Sequence, residues 1–76
     1  MPKITEIHWK KFERFVIRIG CHFERQEGDH RIYDRAGLKR PVTVPMKRAV
    51  PVFIIKNNLN TLGVKHNEYL EILKKI

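Results

Sequence analysis

The apolar residues of this chain recur first at helical spacing, then at strand spacing, then at helical spacing again. Phe12, Phe15, Val16 and Ile19 stand at i, i+3, i+4 and i+7, which predicts one stripe of an amphipathic helix from about Trp9 to Ile19. Gly20 ends it. Thr5 or His8 supplies the cap, and Ile7 with Phe12 has the spacing of a hydrophobic staple. Residues Cys21 to Glu27 alternate loosely around Phe23, Gly28-Asp29 offers the chemistry of a tight reversal, and His30 to Asp34 reads as the returning strand. Beyond a Gly-containing loop at Arg35-Ala36-Gly37-Leu38, Arg40 to Val44 reads as a third strand, rich in β-branched residues and stopped by Pro45. Pro51 suits the first turn of a second helix, where its missing N–H costs nothing. Val52, Ile55, Leu59 and Leu62 form the apolar stripe of that helix, Lys56, Asn57 and Asn60 fall on its polar faces, and Gly63 ends it. A last helix is predicted from about Asn67 to the C-terminus, with Tyr69, Ile72, Leu73 and Ile76 in register and Lys74-Lys75 suited to its C-terminal dipole.

The order α-β-β-β-α-α predicts an α+β domain, a three-stranded antiparallel sheet packed on helices and spanning residues 1–76 as a single unit. A chain of 76 residues buries only about 60% of the surface its unfolded form exposes, so the helices must share one small core. Because side chains alternate along a strand, His30 shares a face with Ile32. Ile32 is expected to point at the core, which would leave His30 at the rim of the helix-covered face.

Charge narrows the partners. Sixteen Lys and Arg against eight Asp and Glu give a net charge of +8 and a sequence pI near 10.1, spread along the chain instead of gathered in a tail. Such a surface favours polyanions. On the first helix Lys11, Arg14 and Arg18 lie at i, i+3 and i+7, opposite the apolar stripe; they read either as a solvated face or as a phosphate-tracking stripe. No apolar run approaches the roughly 20 residues that span a bilayer, and no signal-peptide pattern opens the chain; a cytoplasmic protein without a membrane role is expected. The single Cys21 can form no internal disulfide and reads as a small apolar residue. His8, His22, His30 and His66 show no pair at helical ligand spacing, so neither a metal nor another cofactor is implied. His30, at a strand end in a basic setting, is the candidate for chemistry, because imidazole is the side chain suited to moving a proton near neutral pH.

Four segments then resemble, in order, the HicA family, small toxins of toxin–antitoxin systems. They are the Gly20-to-Phe23 exit from the first helix, the hairpin Arg25 to Tyr33, the strand Val42-Thr43-Val44-Pro45, and the second helix with Leu59-Asn60-Thr61-Leu62-Gly63. Each is short, but their collinearity covers nearly the whole chain. The resemblance implies a double-stranded-RNA-binding-like fold, α-β-β-β-α with an extra C-terminal helix, messenger-RNA interferase activity and a HicB-type antitoxin bound over the active face. Its Gly-Ser-His hairpin pattern matches Gly28-Asp29-His30 and implies that His30 is catalytic, with Asp29 in the place of the serine. Many relatives continue Val-Pro-x-His where this chain has Val44-Pro45-Met46-Lys47; a lysine is no ordinary proton shuttle but can bind phosphate. The Gly-Thr-Leu-Arg opening of the second helix is replaced around Phe53-Ile54-Ile55-Lys56, with Lys56 at the basic position.

The chemistry implied is metal-independent cleavage of RNA by its own 2′-OH, which requires a base, an acid and positive charge at the phosphate. His30 would fill a proton role; Arg31, Lys47 and Lys56 would stabilise charge, and Lys11, Arg14 and Arg18 would hold RNA. Tyr33 and Trp9 are expected either to stack on bases or to pack in the core. The alternative is a binding module of the same fold that grasps RNA without cutting it, and a ribosome-associated or scaffolding role would use the same charge.

Overall fold

The computed structural model describes residues 3–76. Helix α1 (Trp9–Arg18) buries Phe12, Phe15 and Val16. His8 is its N-cap, the ring Nδ1 accepting from the Lys10 N–H at 3.1 Å, which satisfies a donor that the first turn leaves free. The strands β1 (His22–Glu27), β2 (His30–Asp34) and β3 (Val42–Pro45) form one antiparallel sheet in the order β1-β2-β3. Helices α2 (Val52–Leu62) and α3 (His66–Leu73) complete the chain. The architecture is the α+β arrangement expected, compatible with a double-stranded-RNA-binding-like order.

Pro51 serves as the N-cap of α2, one position before the expected first turn, and Gly63 closes that helix in the left-handed conformation. Pro45 is the last residue of β3, in register with His30; a proline fits there because the ladder needs no further donor from it. Gly28 has φ 61° while Asp29, like every described non-glycine, has negative φ, the sign pattern of a II′ hairpin turn.

One core joins the elements: Phe12, Phe15 and Val16 from α1, Tyr33, Val42 and Val44 from the sheet, Ile55, Leu59 and Leu62 from α2, and Tyr69 from α3. The Phe15 and Tyr69 rings meet edge to face at 4.8 Å, a preferred aromatic geometry. Asn58, buried on the inner side of α2, donates to the Thr43 carbonyl at 2.9 Å and ties that helix to β3.

The pleat corrects one expectation. Register pairs Arg31 with Val44 and Tyr33 with Val42, and directly paired residues share a face; these four turn toward the helices. Ile32 is 6% exposed yet stands outside the helix-packed core. His30, Ile32 and Asp34 therefore occupy the opposite face, and His30 lies away from the helix-covered side. The cause is the polar network below, which draws Arg31 and Tyr33 under α1.

Candidate functional site

The hairpin head carries the candidate chemistry. Gly28-Asp29 reverses the chain, and His30 opens β2 between Glu27 of β1 and Pro45 of β3. Its Nδ1 lies 2.9 Å from the Asp29 carboxylate, and both side chains are exposed. With Nδ1 facing that carboxylate, Nε2 is the ring nitrogen left for a proton transfer. The Met46 N–H donates to the Asp29 carbonyl at 2.8 Å, and the Trp9 N–H donates to the Lys47 carbonyl at 3.1 Å. These bonds clamp the turn, the β3 exit and the start of α1 into one corner. Lys47, exposed two residues beyond the register partner of His30, is thus brought to the same rim.

Arg31, adjacent to His30, points the other way. Its Nε donates to Glu13 at 3.1 Å and to the Tyr33 hydroxyl at 3.0 Å, and its Nη1 to Gln26 at 3.3 Å. The guanidinium lies over the Phe23 ring at 4.1 Å and 5.7 Å from the Trp9 centroid, a stacked arrangement that suits a planar, weakly hydrated cation. Tyr33 in turn donates to Glu13. Burial, reinforced by that bond, pushes the Tyr33 phenol up to about 12. The Arg31 charge is consequently matched by Glu13 inside the fold.

The remaining predicted residues lie elsewhere. Lys11, Arg14 and Arg18 are exposed on α1, where Arg14 and Arg18 flank Ile17 and the C-terminal Ile76. Lys56 is exposed on α2 beside Ile4 and His66. Tyr33 is fully buried and offers no stacking face, whereas Trp9 is half-buried and stacks with His8 at 6.1 Å. Sequence reading missed the Glu13–Tyr33–Arg31 network and the exposed Phe23. Its one available signal was Glu13, the sole acid in a helix otherwise apolar or basic. Cys21 is buried, and burial pushes its thiol up, away from the reactive thiolate. Among the described residues no three or more His, Cys, Asp or Glu converge as metal ligands, and no helix is long and apolar enough to cross a membrane.

A family model described as the HicA toxin of bacterial toxin–antitoxin systems matches residues 9–64, from the first residue of α1 to just beyond α2. No curated protein and no solved structure matches the chain.

Proposed function

The chain belongs to the HicA toxin family, and from that premise we propose that it is a messenger-RNA endoribonuclease whose proton-transfer group is His30. Membership gives a toxin role and an antitoxin partner; the chemistry is our reading of the hairpin head. The observation that carries it is the exposed His30–Asp29 pair, hydrogen-bonded through Asp29 and Met46 to the segment that presents Lys47. The His30 Nε2 would take the proton of a ribose 2′-OH, whose oxygen attacks the adjacent phosphorus. The 5′-oxygen leaves with a proton taken from solvent water, and a 2′,3′-cyclic phosphate remains. Lys47 would balance the charge that builds on the phosphate. Asp29 would orient the ring, the part that the serine of the family pattern occupies. We assign Arg31 to positioning β2 beneath α1, because its guanidinium is already matched by Glu13, and give Lys11, Arg14, Arg18 and Lys56 the role of holding RNA outside the cleavage point.

The antitoxin would be of HicB type and would cover the face bearing His30, meeting the basic rim with acidic groups. Purified protein incubated with labelled RNA in excess chelator tests the reaction. Cyclic-phosphate ends that vanish in a folded His30→Ala variant are expected. Intact RNA that merely shifts in a salt-sensitive manner would mean a binding module instead.

A further inference from the structure

Away from His30, at the far end of the sheet, an open groove of about 460 Å³ runs between the β2–β3 loop and the C-terminal half of α2. It continues into a second hollow of about 370 Å³ through shared walls at Arg40, Asn60 and Thr61. The lining of both contains basic and amide side chains and no carboxylate. Lys39 and Arg40 are exposed and have no acidic partner among the described residues. Opposite them Asn57, Asn60 and Thr61 stand at i, i+3 and i+4 on α2, one polar row along the helix.

The C-terminal end of a helix ordinarily repels anions. Here Arg35 offsets that: its Nη1 donates to the Ile19 carbonyl at 2.7 Å and its Nη2 to the Leu62 carbonyl at 3.3 Å. One cation thus caps the last turns of both α1 and α2, and among the described residues it has no acidic partner. At the groove floor the Arg35 charge offsets the partial negative charge that bare carbonyls would present, so the free cations of Lys39 and Arg40 set the sign of the groove. Two free cations beside neutral amides form the donor set that recognises a phosphodiester backbone together with sugar hydroxyls or base edges.

We propose that this groove is a second RNA-backbone site that holds the strand flanking the cleavage point. The inference rests on RNA being the ligand. His30 and Asp34 lie four strand steps apart, about 13 Å at strand rise, and the groove begins beyond Asp34, a reach supplied by a strand near the long end of the about 4–16 nucleotides that small single-strand-binding domains cover. A long strand therefore engages both places, and a very short one engages only the hairpin head.

The test uses the full chain and 2′-O-methyl RNA, which keeps the phosphates and lacks the nucleophile, in lengths of about 4 and about 16 nucleotides. Anisotropy titrations at several salt concentrations compare the parent with Lys39→Gln/Arg40→Gln and with Asn57→Ala/Asn60→Ala, each checked for an unchanged melting midpoint. The charge variant is expected to weaken the long oligonucleotide by about tenfold and to flatten its salt slope by about 1.4, the share of two phosphate contacts on a single strand. The amide variant should weaken the long strand with the salt slope kept. Neither should alter binding of the short strand. Parent-like affinity and slope in both variants overturns the proposal, as does an equal loss on both lengths. So does a charge variant that keeps RNA affinity but no longer binds the antitoxin, since the surface then belongs to the protein partner. A parent that binds the long strand through Lys39 and Arg40 yet cleaves no RNA supports the groove and refutes the nuclease reading, so the two failures are separable.

Discussion

His30 and Arg31 are neighbours in the chain and meet opposite fates. The pleat turns Arg31 beneath α1, where Glu13, Tyr33 and Gln26 take its donors and Phe23 lies under its plane. One residue earlier, His30 stays on the open face with its ring paired to the exposed Asp29 carboxylate. A strand that packs on one side converts adjacent positions into a structural group and a chemically available one. Formal charge therefore overstates the field a substrate meets. Arg31 is matched by Glu13, Arg25 by Glu27 and Lys74 by Glu71, whereas Lys39, Arg40 and Lys47 have no such partner among the described residues.

Exchanging the two neighbours for alanine gives the largest effects and the sharpest contrast. His30→Ala removes no side-chain hydrogen bond that holds the fold, so its melting midpoint should match the parent while RNA cleavage falls by about 10²- to 10⁴-fold, the usual worth of a general acid–base group. Arg31→Ala should do the reverse. It leaves Glu13 and Tyr33 without their cation, a loss of about 1–3 kcal/mol, and in a domain of this size each kcal/mol lowers the midpoint by roughly 4–8 °C. Cleavage by the folded fraction should persist. The contrast fails if Arg31→Ala melts like the parent but no longer cleaves, because Arg31 would then be acting on substrate.

High pH probes the same network with a smaller effect. Burial raises the Tyr33 and Tyr69 phenols to about 12 in the folded chain, against an ordinary value near 10. The folded state then holds protons that the unfolded chain releases, so this contribution is complete below about pH 10 and is lost as pH rises toward 12. The slope is about 1.4 kcal/mol per pH unit for each tyrosine. Tyr33→Phe should remove one share of that slope in urea titrations and cost about 1–2 kcal/mol at neutral pH, because Glu13 loses a donor.

The helices were legible because each carries an apolar stripe at one period with glycine or proline at its ends: Phe12, Phe15 and Val16 in α1, Ile55, Leu59 and Leu62 in α2. The hairpin was legible from Gly28-Asp29 alone. The facing of β2 was not, because Ile32 and Tyr33 are both apolar enough to claim the core, and alternation cannot choose between them. A long-range bond chose: Glu13, twenty positions earlier in the chain, accepts from Tyr33. Asn58 escaped for a similar reason, since a polar residue on a helix reads as solvated until a strand carbonyl such as that of Thr43 arrives beside it. His30 and Lys47 could be named from motif order, but their convergence depends on the bond from Met46 to Asp29. Lys39 has no periodicity to mark it, and Arg40, expected to open the third strand, lies in the loop before β3 instead.

The smallest effect comes from the other buried tyrosine. Tyr69 sits in the aromatic core against Phe12 and Phe15, and among the described residues its buried hydroxyl has no hydrogen-bond partner. A buried hydroxyl without a partner carries a desolvation cost and gives nothing back. Tyr69→Phe keeps the ring and its edge-to-face contacts while removing that cost, so urea denaturation should show no loss of stability and a gain of up to about 1 kcal/mol. Tyr33→Phe, the same chemical change on the polar side of the core, should destabilise. Matching signs in the two variants would mean that the hydroxyls share one kind of environment, and that the division between the Glu13 network and the aromatic core does not hold.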